Sequence, residues 1–314
     1  LYAVAGYRLM PALRDRFTGL AKLRFYHSAV ESVYQHLRPD EDAGSDAAGL
    51  TDLIPDVSTS ARLPFEREIR IDGLSFRYPN TDVDVLRDVD LTIPIRASIG
   101  LVGGTGSGKT TLVDLILGLL EPTEGRIWVD GVPLGPEIHR HWRRNLGYVP
   151  QEIFLCDDSI ARNIAFGLSE ERISREAVEE AARVAQIHHF ITSLPQGYDT
   201  VVGERGVRLS GGQRQRIGIA RALYHQPEVL ILDEATSALD GITEDALMEA
   251  MQSLAGQKTM ILIAHRVTTL RECNRILLFK EGRVAESGTY TELMEQSAEF
   301  RAMAKTAEVG TARV

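Results

Sequence analysis

A glycine-rich segment at residues 103–111 carries the clearest chemistry in the sequence. It reads GGTGSGKTT, with glycine, four residues, glycine, lysine and threonine in that order. Glycines let the backbone curl so that several N–H groups point at one anion, and a helix that begins there adds the positive end of its dipole. The lysine supplies a mobile positive charge, and the threonine hydroxyl suits Mg²⁺. The segment predicts a phosphate-binding loop made of Gly103, Gly104, Thr105, Gly106, Ser107, Gly108, Lys109, Thr110 and Thr111.

Two further segments add groups that suit phosphate chemistry. Asp233 and Glu234 follow the apolar run VLIL. The first acid can hold a magnesium ion, and the second can polarise an attacking water. At residues 209–213 the sequence LSGGQ offers Ser210 as a helix cap, and two glycines that permit close approach to an anion. This is a second possible phosphate site. One chain has no obvious use for a second site on the same γ-phosphate, whereas a pair of chains has.

The order and spacing of these motifs resemble the nucleotide-binding domain of ABC transporters, over about residues 70–295. The resemblance implies binding of ATP and Mg²⁺ and hydrolysis of ATP. It assigns nucleotide contacts to the phosphate loop and to Tyr78 (stacking on adenine), Ser210, Gly211, Gly212 and Gln213 (the family signature) and Asp240 (crossing the dimer interface). It assigns catalysis to Glu234, His265, Gln151 and Lys109, and metal binding to Thr110, Gln151 and Asp233. Glu204 in GERG resembles the acid of a coupling loop found in exporters.

Each implied residue also has an ordinary alternative. Tyr78 fits a core aromatic, His265 a buried histidine and Gln151 a polar loop residue, and aromatic residues are more often core than stacking platforms. The phosphate loop alone fits a glycine-rich turn with an exposed lysine, and the two acids fit a solvated pair. The occurrence of all these residues in register favours the functional interpretation.

Strand and helix patterns alternate from residue 65 onward, which predicts an α/β fold. Continuous apolar runs are typical of strands in a sheet covered on both faces, and they occupy residues 97–103, 228–235 and 258–265. Residues 67–78 predict a strand pair, and residues 275–288 predict a hairpin. The expected fold is a P-loop NTPase core, a mostly parallel sheet with flanking helices, with a β-rich subdomain and a helical signature subdomain at about residues 157–222.

The chain is expected to have four parts. Residues 1–38 predict a helix that resembles the cytosolic end of an exporter's last transmembrane helix, and residues 39–64 predict an acidic linker rich in Ala, Gly, Ser and Pro. Residues 65–305 form the ATP-binding domain, and residues 306–314 form a tail. The first segment also resembles transporters that flip lipid-linked saccharides, whereas an ordinary helix that folds back on the domain is the alternative.

The net charge and the cysteine content limit the kinds of partner and the cellular compartment that are expected. The formal net charge is −9 and the sequence pI is about 5.5, so nucleic acid is not an expected partner. The two cysteines, Cys156 and Cys273, give neither metal-ligand spacing nor a disulfide framework, which favours a reducing cytosol.

By resemblance, the expected partners are a second copy of the chain and a transmembrane domain of the same or a partner polypeptide. The copies would pair head to tail with ATP between them, at the cytoplasmic face of the cell membrane. The alternatives are a soluble ABC-type ATPase that acts on DNA or ribosomes, and a phosphotransferase. Net acidity and GERG disfavour the soluble ATPase, and the LSGGQ signature disfavours the phosphotransferase.

Overall fold

The computed structural model describes residues 62–79, 81–233, 251–264 and 266–311, together with Lys22. The chain divides between Thr59 and Ser60, and all described residues except Lys22 lie in the second unit. The predicted helix at residues 1–38 and nearly all of the predicted linker lie outside the described residues, apart from Lys22 and residues 62–64.

Ten strands and eight α-helices have both of their ends among the described residues, and residues 251–254 are also helical. The strands are β1 Glu68–Phe76, β2 Leu86–Pro94, β3 Ser98–Gly103, β4 Glu124–Val129, β5 Val132–Pro133, β6 Leu146–Val149, β7 Val229–Asp233, β8 Thr259–Ile263, β9 Arg275–Lys280 and β10 Arg283–Gly288. The helices are α1 Lys109–Ile116, α2 Pro136–Arg143, α3 Ile160–Ile164, α4 Arg175–Val184, α5 His188–Ser193, α6 Gly211–Leu223, α7 Tyr290–Gln296 and α8 Ala298–Thr311.

The strands form two sheets. Six of them have the order β10-β9-β3-β8-β7-β6, and all neighbours in this sheet are parallel except the edge pair β9 and β10. The other four have the order β2-β1-β4-β5 and are antiparallel. The predicted α/β core with a mostly parallel sheet and an additional β-rich part is therefore confirmed, and so is the hairpin at residues 275–288.

Strand β7 demonstrates that the parallel sheet is covered on both faces. All five of its residues are buried. Val229 and Ile231 belong to a hydrophobic cluster shared with β1, β2, β4 and α1, whereas Leu230 and Leu232 belong to a second cluster shared with α3, α4 and α6. Because successive side chains of a strand point to opposite faces, a run with no polar residue fills two cores at once.

The predicted strand pair at residues 67–78 is wrong. The structure has one strand there, Glu68–Phe76, which pairs with β2 on one side and β4 on the other. The register shifts between Ile71 and Leu74, where Gly73 has a φ of 55°. A glycine inside a strand pattern signals either a turn or a bulge, and here it forms an irregularity that leaves the strand intact.

The residues just before β1 are bonded to the folded domain. The backbone N–H of Leu63 donates to the carbonyl of His141 at 3.3 Å, and Asn145 donates to the carbonyl of Leu63 at 2.6 Å. The Arg62 guanidinium donates to the carbonyls of His225 and Gln226. Residues 62 and 63, which the sequence assigns to the end of the linker, therefore make ordered contacts with the domain.

Candidate functional site

The phosphate loop connects the end of β3 to the start of α1. The Lys109 side chain is only 7% exposed. Its Nζ donates to the carbonyls of Gly103 and Gly104, both at 2.9 Å, and to Ser107 Oγ at 3.2 Å. A positive charge is thus held against the loop instead of extending into solvent, so the site differs from a plain turn with an exposed lysine.

Gly108 fixes the start of α1. It lies at the N-cap position with a φ of 102°. A Cβ atom at this position would lie 2.6 Å from Leu86 Cδ2 and 3.0 Å from the carbonyl oxygen of Val85. The glycine therefore allows the loop to pack closely against β2, and it does so in a backbone conformation that other residues rarely adopt.

Asp233 lies at the same edge of the sheet as the phosphate loop. It is the last residue of β7 and is 6% exposed. Strands β3, β8 and β7 are parallel neighbours, so their carboxyl ends meet at one edge, with β3 and β7 about 10 Å apart across two strand spacings. The open edge beyond parallel strands is the usual ligand position in α/β sheets.

Tyr148 is a site residue that the sequence did not predict. Its hydroxyl donates to Asp233 Oδ2 at 3.4 Å. Burial, followed by the charges of Asp233 and Asp114, raises the pKa of Tyr148 to about 12, so the phenol remains a proton donor. The only available signal was a tyrosine in a strand three residues before Gln151, and such a tyrosine is ordinarily a core residue.

Tyr78 follows β1 and is 38% exposed. Its ring packs edge-on against Phe76, with the centroids 4.9 Å apart, and its hydroxyl lies 3.3 Å from Thr111 Oγ1. The ring is therefore anchored next to the phosphate loop while part of it remains exposed. This arrangement suits stacking of a planar ring better than a fully buried aromatic would.

The signature residues form the start of α6. Ser210 Oγ accepts a hydrogen bond from the backbone N–H of Gln213 at 3.2 Å, and Gln213 Oε1 accepts one from the N–H of Ser210 at 2.9 Å. This reciprocal pair is a capping box, which stabilises the first turn of a helix. These bonds stay within the turn, so they do not join the signature to the phosphate loop of the same chain.

Gln151 is exposed and lies beside the signature helix. Together with Gly211 it lines a cleft of about 290 Å³. Thr110 is also exposed, at the start of α1. Three predicted residues, Glu234, Asp240 and His265, lie outside the described residues, so their positions in the site stay predictions.

Three large apolar side chains after Gln151 in sequence are exposed, and two of them, Phe154 and Phe166, share a contact with Arg221. Phe154 is 59% exposed, Phe166 is 51% exposed and Val207 is 77% exposed. The Arg221 guanidinium donates to the carbonyl of Phe154 at 2.8 Å and lies over the ring of Phe166, 4.8 Å from its centroid. These contacts link α6 to the segment after Gln151.

Comparison with known proteins identifies the family. Residues 86–237 match the family described as ABC transporter. The chain is 46% identical over 269 residues to the ATP-dependent lipid A-core flippase of Chromobacterium violaceum, covering 86% of this chain and 44% of that protein. It is 41% identical over 263 residues to the flippase of the same name from Chromohalobacter salexigens, covering 83% and 45% respectively. The chain thus spans less than half the length of these relatives.

A solved structure agrees with this assignment. The structure of a bacterial Atm1-family ABC exporter with ATP bound matches with a TM-score of 0.73 and 38% identity, covering 80% of this chain and 44% of the other. No helix in the described part of this chain has the length and apolarity needed to cross a membrane. The motifs, the two-sheet architecture and these matches together identify residues 86–237 as an ABC transporter ATP-binding domain, similar to those of exporters.

Proposed function

We propose that this chain binds and hydrolyses ATP and that the reaction drives an exporter. One observation carries the proposal: the loop that holds Lys109 and the buried carboxylate of Asp233 lie at the same edge of the parallel sheet, two strands apart. A gap of about 10 Å suits a nucleotide phosphate chain lying between a cationic loop and an acid. The match to ABC exporters supports the same assignment.

The residues present fit a magnesium ion. Mg²⁺ prefers oxygen ligands in octahedral geometry and usually keeps several waters. The exposed hydroxyl of Thr110, the carboxylate of Asp233 and the amide oxygen of Gln151 supply oxygen donors, and the phenol of Tyr148 orients the carboxylate. A bound ion would supply charge neutralisation for the phosphate chain.

Hydrolysis also needs a base and a contact to the transferred phosphoryl group. We assign the base to Glu234, which directly follows Asp233 in sequence and would polarise the attacking water. We assign the γ-phosphate contact to His265, which follows β8 by two residues, and a further charge contact to Lys109. Tyr78 provides the face on which adenine stacks.

Two copies are required to complete each site. In the proposed head-to-tail dimer, ATP lies between the phosphate loop of one copy and Ser210, Gly211 and Gly212 of the other. Asp240 crosses the interface. The capping box supports this arrangement, because it holds Ser210 at the exposed start of α6 instead of turning it toward its own phosphate loop. ATP binding would close the dimer, and hydrolysis would reopen it.

The membrane partner is proposed to dock on the exposed side chains of Phe154 and Phe166, which both contact Arg221, and of Val207. These residues follow Gln151 or the GERG loop, and Glu204 of that loop lines a neighbouring cleft with Val207. Exposed apolar side chains that closely follow a nucleotide-sensing glutamine suit a partner that must follow the ATP cycle. The chain would therefore act at the cytoplasmic face of a membrane, with no nucleic acid involved.

Phosphate release from the purified chain tests the reaction. Lys109→Ala is expected to weaken ATP binding, whereas Glu234→Gln keeps binding and loses turnover by about 100-fold or more, because it removes the base. The exposed Lys305→Ala variant is the matched control and should behave like the wild type. Wild-type turnover in Glu234→Gln would refute the role of that residue.

Light scattering tests the shared site. Glu234→Gln protein is expected to be monomeric without nucleotide and dimeric with ATP. Adding Ser210→Arg should prevent the dimer while leaving ATP binding by the monomer intact. A mass that does not respond to ATP in the Glu234→Gln protein would contradict the proposed dimer.

A further inference from the structure

Gln215 has a buried side-chain amide that the functional assignments above do not use. It lies in the second turn of α6 and is only 5% exposed. Its Nε2 atom is buried and has no hydrogen-bond partner among the described residues. A primary amide carries two N–H donors, and leaving them unpaired inside a protein costs free energy. Such an atom in a folded domain calls for a structural or functional reason.

The Gln215 side chain borders the cleft between the signature helix and the segment after β6, with its Nε2 atom buried beneath the surface of the cleft. Gln151, Glu152 and Ile153 line one wall of this cleft, which has a volume of about 290 Å³. Gly211, Arg214 and Gln215 line the other wall. Gln215 and the predicted γ-phosphate sensor Gln151 therefore line the same cleft, next to the signature.

The far end of the segment is fixed to the same helix. A Cβ atom on Gly218 would lie 2.5 Å from Ile153 Cδ1, so Ile153 packs directly on the helix backbone. One turn further on, Arg221 bonds the carbonyl of Phe154 at 2.8 Å. Gln215, Gly218 and Arg221 are spaced by three residues and lie along one face of α6. The segment thus contacts this face at residues 153 and 154, whereas residues 151 and 152 are exposed and border the open part of the cleft.

We propose that Gln215 is a positioning residue for Gln151. Its Nε2–H group donates to an oxygen atom of Gln151 or Glu152 when these residues approach α6 during ATP turnover. The bond satisfies the buried donor only in the closed arrangement, so it favours that arrangement over the open one. Gln215 acts through Gln151 and does not touch the nucleotide. The inference rests on the proposed ATP hydrolysis.

The test compares turnover with stability in the full chain. Gln215→Met keeps the length of the side chain and removes both N–H donors. Its unfolding temperature without nucleotide is expected to equal or exceed that of the wild type, because the lost donor has no partner there. Its turnover at saturating ATP and Mg²⁺ is expected to fall about fivefold, the rate equivalent of one ordinary hydrogen bond. The KM for ATP should stay within about twofold, because no nucleotide contact is removed.

A matched control and a second variant sharpen the result. Gln296→Met alters an exposed glutamine at the end of α7 and should leave both quantities unchanged. Gln215→Asn keeps the amide but withdraws it by one methylene group, and it should also lose turnover. Unchanged turnover in Gln215→Met, or in Gln215→Asn if the first variant does not fold, would overturn the inference.

The two proposals fail in different ways. A fall in both unfolding temperature and turnover of Gln215→Met would indicate a packing role and would equally overturn the positioning role. Absence of ATP hydrolysis by the wild-type chain would refute the proposed function itself. Hydrolysis by the wild type together with unchanged turnover in the Gln215 variants would refute this inference alone.

Discussion

Replacing Gly108 with alanine is expected to destabilise the domain by about 1–5 kcal/mol. A positive φ costs an L-residue about 1–2 kcal/mol. Moving Leu86, whose Cδ2 would lie 2.6 Å from the new Cβ, adds an overpacking cost of about 1–3 kcal/mol. The lower conformational entropy of the unfolded alanine chain offsets about 0.4–1 kcal/mol of this sum. The second cost is real because the side chain of Leu86 is fully buried and has little room to move.

Gly104→Ala is the matched control within the same loop. Its φ lies outside the positive range, and a Cβ there would meet no atom within 4 Å. We expect no loss of stability and a gain of up to about 1 kcal/mol. The only remaining effect is the lower conformational entropy of the unfolded chain that carries alanine. Urea denaturation of both variants, with the m-value checked for constancy, measures the difference. Equal free energies of unfolding for the two variants would refute the assigned packing of Gly108 against β2.

Three further predictions follow from the described contacts. Tyr148→Phe removes the donor to Asp233 and should raise the Mg²⁺ concentration for half-maximal hydrolysis by up to about tenfold, measured by titration at saturating ATP. Deleting residues 1–64 should lower the unfolding temperature more than deleting residues 1–61, because the longer deletion removes the bonds from the chain just before β1; equal temperatures would contradict this. Burial, and then two neighbouring arginines, lowers the pKa of His225 below 6.5, so the unfolded chain binds more protons in that range. Stability should therefore fall as the pH drops below about 6.5, and His225→Gln should flatten this dependence in denaturation measured from pH 7.5 to 5.5.

The sequence predicted the parts of the site that depend on local patterns. An apolar run that ends in GGTGSGKTT predicts a strand, a loop and a helix, and the structure has β3, the loop and α1 in that order. The helix ends at Ile116, just before Gly118, which has a φ of 66°. The position of Asp233 at the end of β7 was likewise predicted from the single run of apolar residues that precedes it.

The contacts between distant segments could not be predicted in the same way. Tyr148 reaches Asp233 only because β6 and β7 are neighbours, and strand order is not encoded in one run of residues. Gln215 is one polar residue among several in the sequence RQR, and its burial depends on packing against residues that lie more than 60 positions earlier. Gly73 suited a turn as well as a bulge, and pairing with both β2 and β4 decides for the bulge.

The exporter interpretation is favoured over a soluble ABC-type ATPase by the relatives. Both flippases named above and the Atm1-family exporter align over 80% or more of this chain. The similarity to lipid A-core flippases also agrees with the predicted likeness to transporters of lipid-linked saccharides. The phosphotransferase alternative has no support among these matches.

The capping box at Ser210 gives the signature a chemical direction. The serine hydroxyl accepts the N–H of Gln213 through one of its lone pairs, so its single proton remains to be donated outward. A group that approaches the start of α6 therefore meets an O–H donor, together with the positive end of the helix dipole. An N–H group of a carboxamide or ammonium that approaches this position meets another hydrogen-bond donor. A phosphate oxygen that approaches it is an acceptor and meets a donor. The hydrogen bond that stabilises the helix thus leaves the hydroxyl proton available for an electron-rich oxygen, as the proposed phosphate contact requires.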